Sequence, residues 1–436
     1  MKGKAMHVLI MGGGIGGLCL AQGLKRAGVS VAVYERDRTR TDRLQGYRIH
    51  ISPAGSRALH QCLPPELFDA FVATTGKLGD GFTFLTERLT PLLRAGIDDV
   101  GGDVTDPSES HHSVSRITLR QVLLAGLGDA VHFDKKYERY EKHSDGTVTA
   151  YFSDGSSATG DVLVGADGGN SRVRQQYLPH AHRLDTGILS VAGKLPLTEA
   201  TRGMLPAALG SGPGFVSGAP GGHSMFLAVQ EFDRARSDLP YGIGADDADR
   251  GGPLFDNTSD YLMWGFATHR DRYPEPGRLE SLDGAALRDV VGEMITDWHP
   301  DLRRVVAGSE PSTVSVLKVH TSTPVDPWPT TTVTLLGDAI HSMTPFQGIG
   351  ANTALRDAGL LCQRLAAADR GERPLLDAIA GYETEMIQYG FDAVRRSLTT
   401  ARQATSDSTL ARVGGRTFFR VMNAVPALRR RVFTDV

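Results

Sequence analysis

The sequence predicts an α/β protein that combines a parallel, nucleotide-binding type of sheet with a second, antiparallel sheet. Three observations lead to this fold class. The N-terminus reads as a strand, a glycine-rich turn, a helix and a second strand. Two later apolar strands, 162–166 and 333–336, each run into a turn of Gly and Asp. Between these motifs lie segments rich in β-branched and aromatic residues with partial alternation, which is typical of half-buried antiparallel strands.

The composition is that of an ordinary folded protein and excludes several classes. Of 436 residues, 40% are hydrophobic and 22% are charged, so neither a disordered nor a collagen-like chain fits. The 47 Lys and Arg against 50 Asp and Glu leave no basic field for a nucleic acid. Because the sequence has no run of 18 apolar residues, we expect no membrane span. Cys19, Cys62 and Cys362 show no disulfide or metal spacing, which favours a reducing cytoplasm and no metal site.

The N-terminal elements carry a dinucleotide-binding pattern. A buried strand at 7–11 leads into a glycine turn and a helix to about residue 28, followed by a strand at 29–34. The turn reads GxGxxG: the first glycine permits a tight turn, the second lets a pyrophosphate approach the backbone, and the third lets the helix pack on the strand. The helix N-terminus attracts the diphosphate, and an acid after the second strand is expected to hold a ribose diol. The candidate contacts here are Gly12, Gly14, Ile15, Gly16, Gly17, Glu35 and Arg36.

The glycine turn alone does not separate NAD from FAD, because both contain an adenosine ribose and a pyrophosphate. Later segments narrow the choice. The strand at 162–166 enters an Asp-Gly turn, and the strand at 333–336 enters a Gly-Asp turn that continues through Pro345 and a glycine-rich stretch into a helix. Either turn by itself is also a common structural feature.

In this order, the GxGxxG, Asp-Gly and Gly-Asp motifs resemble the single-component FAD-dependent aromatic hydroxylases, the para-hydroxybenzoate hydroxylase-like monooxygenases, over about residues 6–400. The resemblance implies a Rossmann-like FAD-binding domain with an inserted substrate domain and a helical C-terminus. It places Asp167 and Gly168 near the pyrophosphate, where they are tied to FAD and NAD(P)H binding, and has Asp338, after Gly337, bind the ribityl or ribose hydroxyls. The residues implied to lie against the isoalloxazine are Pro345, Gly348, Gly350, Ala351 and Asn352.

Two further segments are expected to complete the flavin site. Residues 115–124 resemble the family's Arg-x-x-Leu helix start, so Arg116 and Arg120 are candidate FAD contacts, with a surface arginine as the alternative. The strand at 46–51 resembles the one beside the isoalloxazine, where Arg48 and His50 would face the flavin or the incoming nicotinamide. His50 fits a hydrogen-bonded structural histidine equally well.

The catalytic residues stay unassigned at this stage. His50 and Arg48 are the candidates, and a base for a phenolic substrate stays open among the histidines His50, His223, His269 and His320.

The resemblance divides the chain into segments. The FAD domain is expected over 1–75, 100–180 and 310–400, the substrate domain over 76–99 and 181–309, and a C-terminal helical segment over 401–436. The strand candidates of the substrate domain are 81–87, 188–195, 224–232, 261–268 and 313–320. The polar stretches 94–113 and 237–259 are expected to be mobile entrance loops or plain insertions. Helices are predicted over 353–368, 374–400 and 415–432, the last broken at Pro426 and either packed on its own domain or free as an interface.

The resemblance implies an NAD(P)H-dependent FAD monooxygenase that inserts one atom of O2 into an aromatic or polycyclic small molecule through a flavin C4a-peroxide. Natural-product tailoring and aromatic catabolism are the expected settings. Baeyer–Villiger oxidation, epoxidation, a flavin-dependent reductase and a non-catalytic FAD or ligand binder stay open. A halogenase is disfavoured because flavin halogenases carry a WxWxIP-type signature, and Trp264, Trp298 and Trp328 are too far apart in the sequence to form it. A plain NAD dehydrogenase is disfavoured because it would leave the Gly-Asp turn without a role. We expect a cytoplasmic monomer or homodimer that binds its substrate and O2, and no nucleic acid.

Overall fold

The fold is described by a computed structural model that covers residues 5–39, 48–77, 79, 81–96, 99, 105–210, 212–232, 260–425 and 429. The expectations for Gly46, Tyr47, the stretch 237–259 and the helix break at Pro426 lie outside the described residues.

The described strands form four sheets. In chain order they are β1 (His7–Met11), β2 (Ser30–Tyr34), β3 (Arg48–Ile51), β4 (Gly81–Leu85), β5 (Pro91–Gly96), β6 (His112–Ser115), β7 (Val131–His132), β8 (Tyr137–Lys142), β9 (Val148–Phe152), β10 (Ser157–Gly160), β11 (Val162–Gly165), β12 (Arg183–Pro196), β13 (Gly214–Ala219), β14 (His223–Gln230), β15 (Tyr261–His269), β16 (Ser315–Ser322) and β17 (Val333–Leu335).

The described α-helices precede, connect and follow these strands. In chain order they are α1 (Ile15–Arg26), α2 (Pro53–Cys62), α3 (Pro65–Ala73), α4 (Arg116–Leu124), α5 (Arg172–Tyr177), α6 (Glu199–Arg202), α7 (Gly284–Met294), α8 (Pro300–Ala307), α9 (Asp338–His341), α10 (Gly350–Asp369), α11 (Leu375–Ala404) and α12 (Thr409–Ala424). Within the described part of the chain, none of them is both long and apolar enough to cross a bilayer.

The five-stranded sheet is parallel and has the order β17-β11-β1-β2-β7. This confirms the predicted α/β fold, and the four predicted strands match the observed bounds to within one residue. The carboxyl ends of parallel strands lie along one edge, so the motifs that follow β1, β2, β11 and β17 meet there. The strand that follows β1 in the chain, β2, lies on one side of it, and the later strands β11 and β17 lie on the other, so the strand order reverses at β1. Open α/β sheets bind their ligands at such a reversal.

The seven-stranded sheet has the order β16-β12-β15-β14-β13-β4-β5, and all its pairs are antiparallel except β13 with β4. All five strand candidates of the substrate domain belong to it, whereas β5 and β13 were not predicted. Although the stretch 310–400 was expected in the FAD domain, β16 at its start pairs with β12 in this second sheet.

The expectation that 94–113 is a loop is wrong at the two ends of this stretch, while residues 105–111 contain no strand and only one 3-10 turn. The end of β5 lies in it, and β6 begins at His112 and pairs with β3. All four residues of β6 are buried although its sequence, HSVS, is mostly polar. A polar strand can be buried where its side chains find hydrogen-bond partners, and that satisfaction is invisible to a hydrophobicity pattern.

The seven-stranded sheet has two different faces because successive side chains point to opposite sides. On β15, Leu262, Trp264 and Phe266 are buried in a core shared with helices α7 and α8. The alternate residues Met263, Gly265 and Ala267 face a cavity instead. The sheet therefore presents a packed side to its own helices and an open side to the parallel sheet.

The C-terminal helix α12 begins earlier than predicted, at Thr409, because the Ser408 hydroxyl caps it by accepting from the Ala411 N–H at 3.2 Å. The helix packs on β5 and β13 of the seven-stranded sheet. Phe419 stacks on Phe84 with ring centroids 4.3 Å apart, and Arg416 pairs with Glu87.

Candidate active site

A cavity of about 1940 Å³ lies between the carboxyl edge of the parallel sheet and the open face of the seven-stranded sheet. Pockets for one small molecule usually measure roughly 300–1,000 Å³, so this cavity has room for more than one. Fifteen of the twenty predicted contact residues line it: Gly14, Ile15, Gly16, Gly17, Arg48, His50, Arg116, Gly168, Gly337, Asp338, Pro345, Gly348, Gly350, Ala351 and Asn352. The five that do not are Gly12, Glu35, Arg36, Arg120 and Asp167.

The three motif glycines at the start of α1 differ in what surrounds them. Gly12 has φ +112°, and a Cβ there would lie 2.3 Å from the Ala166 carbonyl oxygen. A Cβ at Gly17 would lie 2.3 Å from the Gly12 carbonyl oxygen. A Cβ at Gly14 would meet nothing within 4 Å, and no side chain caps the helix that Gly14 precedes. The turn is thus tightly packed at Gly12 and Gly17 and open at Gly14. The N–H groups at the start of α1 are available on the open side, where a dinucleotide pyrophosphate would accept hydrogen bonds from them.

Glu35 and Arg120 act on the glycine turn from behind. The Glu35 carboxylate is buried and accepts the Gly13 N–H at 2.6 Å and the Asp37 N–H at 3.0 Å. Arg120 donates from Nε to the Gly13 carbonyl oxygen at 3.0 Å. Both side chains therefore hold the turn in place. A carboxylate has lone pairs for further donors, so a ribose contact by Glu35 stays a prediction.

The Asp-Gly turn after β11 places its two residues differently. Gly168 lines the cavity, whereas the Oδ2 of Asp167 accepts the Arg172 N–H at 2.8 Å at the start of α5. Burial raises the pKa of Asp167, and its Oδ1 is buried without a hydrogen-bond partner among the described residues. Arg36, predicted beside Glu35, is exposed.

The Gly-Asp turn after β17 leads into the far wall of the cavity. Gly337 has φ +62°, and Asp338 follows it with an exposed carboxylate that lines the cavity. The chain then passes through Gly348, at φ +65°, to α10, a helix of 20 residues that no side chain caps at its start. A second set of free helix N–H groups with partial positive charge thus faces the same space as those of α1.

A buried network behind the Gly-Asp turn was missed by the sequence reasoning. The Oδ2 of Asp357 on α10 accepts the Gly337 N–H and lies 2.7 Å from His341 Nε2, while Oδ1 accepts the Tyr389 hydroxyl. His341 is 1% exposed. Burial alone lowers the pKa of His341, but the Asp357 carboxylate outweighs it, so the pKa lies above its usual value. Asp357 lies 16 positions from His341 and 32 from Tyr389 in the sequence. Only the tertiary structure brings these residues together, so no sequence signal pointed to the network.

Arg48 and His50 lie on one face of β3, at the border between the two domains. Arg48 donates from Nε to Ser113 Oγ at 2.5 Å, and His50 Nε2 lies 3.0 Å from His111 Nδ1 with the rings stacked. Burial, the Arg48 cation and the neighbouring histidines lower the pKa of His50 to about 3, so the ring is neutral near pH 7. Asn352 ties this strand to α10 by donating to the His50 carbonyl oxygen at 2.9 Å.

The floor of the cavity consists of small residues and its rim of aromatic ones. Ser190, Ala192, Ser224, Gly265 and Ala267 lie side by side on β12, β14 and β15. The aromatic residues around them are Phe82, Phe84, Phe215, Phe226, Phe346, Phe418 and Phe419. A flat apolar ligand fits a shallow floor flanked by rings.

The described lining of the cavity has more cationic than acidic side chains. It contains six cationic side chains, Arg48, Arg116, Lys194, Arg402, Arg412 and Arg416, and a single acid, Asp338. The described residues contain no cluster of His, Cys, Asp or Glu that could hold a metal ion. The arrangement suits anionic, non-metal ligands.

This geometry defines a flavoprotein-type dinucleotide site joined to a pocket for an apolar molecule, and comparison with known proteins agrees. An NAD(P)-binding Rossmann-like domain matches residues 10–71, and an FAD-binding domain matches residues 291–397. The crystal structure of a candidate FAD-containing monooxygenase from Photorhabdus luminescens is 35% identical, with a TM-score of 0.78 over 92% of this chain and 99% of that one. The chain belongs to the single-component FAD-dependent monooxygenases, whose cofactor is FAD.

Two curated relatives share this family and carry different activities in their names. The dual O-methyltransferase/FAD-dependent monooxygenase elcB of Phaeosphaeria nodorum is 29% identical over 91% of this chain and 46% of its own length. This chain therefore spans about half the length of that relative. The FAD-dependent urate hydroxylase of Klebsiella oxytoca is 28% identical over 91% of this chain and 89% of its own length.

We expect Gly14→Val to separate cofactor binding from folding. A Cβ at this position would meet no protein atom within 4 Å, and the valine methyl groups would occupy the open space before α1, where they would obstruct a diphosphate. The variant should keep its unfolding midpoint and lose FAD affinity by at least about tenfold, which corresponds to about 1.4 kcal/mol. The visible absorbance of bound FAD and a fluorescence titration measure this. Gly203→Val, at another open glycine of ordinary φ outside the cavity lining, is the control. Normal FAD affinity of Gly14→Val would contradict the assignment.

We expect the His341–Asp357 pair to make stability depend on pH. The folded-state pKa of His341 lies above the unfolded value of 6.5, so its contribution is complete below pH 6.5 and is lost as the pH rises through the folded-state pKa. The free energy of unfolding of the wild type relative to His341→Gln should therefore be larger at pH 6 than at pH 9. Urea denaturation at both pH values measures it, with the exposed His180→Gln as control. A difference that stays constant or grows with pH would show that the pair is not charged.

Proposed function

We propose that this protein is an NAD(P)H-dependent FAD monooxygenase that hydroxylates a flat aromatic or polycyclic small molecule. The observation that carries the proposal is the cavity itself. On one side it has two uncapped helix N-termini and the Gly-Asp turn, and on the other a floor of small residues with an aromatic rim. The names of relatives, a urate hydroxylase and monooxygenases joined to methyltransferases, support oxygen transfer to small molecules.

The proposed contacts follow from where the donors and acceptors lie. The N-terminus of α1, with Gly14 open beside it, would hold the diphosphate of FAD. Asp338, the single acid of the described lining, suits the ribityl or ribose hydroxyls. The N-terminus of α10 would stabilise negative charge on the reduced ring. Bound FAD would supply the electrons that activate O2, taken from NADH or NADPH.

The chain's own residues would position the substrate and keep the site dry. A flat ring system on the floor over Gly265 would lie between the aromatic side chains of the rim. The helix α12 covers the cavity on its outer side through the Phe84–Phe419 stack. Water exclusion favours oxygen transfer over wasteful decay. His50 is neutral and its Nε2 is paired with His111. It could therefore transfer a proton only by accepting one on one ring nitrogen while it gives up another from the other nitrogen.

The test is reduction of the FAD-loaded protein by NADH or NADPH without oxygen, and the loss of visible absorbance monitors this reduction. The ligand panel is 4-hydroxybenzoate, 2-naphthol and 2-hydroxyanthraquinone. We expect at least one ligand class to accelerate reduction and, in air with labelled O2, to gain one labelled oxygen atom. Reduction with no ligand effect and no labelled product would favour a flavin-dependent reductase. A protein that binds FAD and is reduced by neither nucleotide would favour a binding protein.

We expect Gly265→Leu to narrow the substrate range. A Cβ at Gly265 would have its nearest neighbour, Ser190 Oγ, at 3.8 Å, so the backbone tolerates it while the rest of the side chain fills the floor. The dissociation constant of the largest activating ligand should rise about tenfold or more, with FAD binding unchanged. Gly292→Leu on α7, where a Cβ meets nothing within 4 Å, is the control. Equal affinity of both variants for this ligand would place the substrate elsewhere.

A further inference from the structure

Arg48 is a cation that the described protein leaves without a counter-ion. Its Nε donates to Ser113 Oγ at 2.5 Å, and the Ser113 hydroxyl donates in turn to Gln230 Oε1 at 2.5 Å. These bonds fix the guanidinium between β3, β6 and β14. A guanidinium carries five N–H donors, and the one described bond uses only Nε–H. No carboxylate among the described residues forms an ion pair or hydrogen bond with Arg48.

The environment of Arg48 is unfavourable for an unpaired charge. Burial lowers the pKa of Arg48 to about 10, and the nearby Tyr261 opposes this shift. Arg48 is half-buried in the wall of the cavity, so its charge is only partly hydrated and gains from an anionic partner. The direct link to Ser113 explains the orientation of the side chain but needs no charge, because a neutral donor would make the same bond.

The surrounding groups cannot neutralise Arg48. His50 on the same strand is neutral near pH 7 and pairs with His111. Within the described lining the one acid is Asp338, on the Gly-Asp turn of the opposite wall.

Arg48 also lies at a defined end of the floor. Gln230, which shares the hydrogen-bond chain with Arg48, pairs with Tyr261 across β14 and β15. Four residues along β14, Phe226 pairs with Gly265 on the floor. A flat molecule over Gly265 can therefore extend toward Arg48 along the direction of these two strands.

We propose that Arg48 is the anion-binding residue of the substrate pocket, so that the substrate is a flat aromatic molecule carrying a carboxylate or an ionised hydroxyl group. The inference rests on the proposed function in placing an aromatic substrate on this floor. Arg48 binds and orients the ring system through its charged group. The two outer nitrogens of a guanidinium suit such a group because they can donate to two oxygens at once.

An anionic group of bound FAD is the other source of negative charge that could reach this end of the cavity. A flavin partner for Arg48 predicts that its loss weakens FAD binding and leaves ligand selection unchanged. A substrate partner predicts the opposite pair of results. The two sources are therefore separable in one experiment.

The experiment uses two ligands of the same shape, 2-naphthoate and 2-naphthamide, which differ in charge. Their binding to the FAD-loaded protein is measured by equilibrium dialysis, without turnover. We expect the wild type to prefer 2-naphthoate, Arg48→Gln to weaken its binding about 10- to 100-fold, and the binding of 2-naphthamide to change by less than about twofold. Arg48→Lys should restore part of the preference because it keeps the charge but loses the paired donors. Arg303→Gln, at an exposed arginine outside the cavity lining, should keep the preference.

The outcomes decide the inference. Loss of FAD with an unchanged ratio of the two ligands would assign Arg48 to the flavin and overturn it. Equal weakening of both ligands in Arg48→Gln and Arg48→Lys would make the residue purely structural and also overturn it. A charge preference that depends on Arg48 in a protein that never oxygenates any ligand would support the anion site while the proposed function fails.

Discussion

The site depends on one geometric constraint: parallel strands deliver all their carboxyl ends to one edge of the sheet. All five strands of the parallel sheet end there, and β1, β2, β11 and β17 are each followed by a polar or glycine-rich turn. The turns are held together by contacts too close for any side chain. A Cβ at Gly12 would collide with the Ala166 carbonyl group after β11, and one at Gly17 with Gly12 itself. The glycine turn therefore fixes how closely the β1 and β11 ends approach, and with it the width of the nucleotide side of the cavity.

Polar side chains behind the edge carry out a second task, which is to hold the turns in conformations that their own sequences do not enforce. Glu35 accepts a hydrogen bond from the N–H of Gly13, and Arg120 donates one to its carbonyl oxygen. Asp357 does the same work at the other end by accepting the Gly337 N–H, and His341 and Tyr389 complete its shell. Acids such as Glu35 and Asp357 thus form hydrogen bonds with backbone N–H groups. Among the described residues that line the cavity, Asp338 is the one acid, and its carboxylate is exposed.

The sequence allowed the elements around local motifs to be predicted, because those motifs combine apolar runs with turn residues. Four of the five strands of the parallel sheet were predicted on this basis, whereas the start of α4 at Arg116 was expected from the family resemblance. Two kinds of feature could not be predicted. The side chains of His112 and Ser113 on the buried strand β6 form hydrogen bonds, and the His341–Asp357–Tyr389 network joins residues from three helices. Both include partners distant in sequence, and periodicity carries no information about them. The floor residues were likewise within predicted strands, but only the sheet register shows that the small ones are neighbours.

Charge and shape of the cavity point to the same kind of contents. The nucleotide side offers two helix N-termini, and the proposed substrate side offers Arg48. Such a field favours anions at both ends, while the middle, over Gly265 and Ala267, offers no charge and little side-chain volume. A neutral polar molecule would gain little there, and a cation would be repelled. A planar anion gains twice, since its ring removes apolar surface from water and its charge meets a cation that is already half-buried. Part of the desolvation of Arg48 occurs during folding, so binding incurs only the remainder, and the same pre-organisation would select charged substrates over neutral analogues of equal shape.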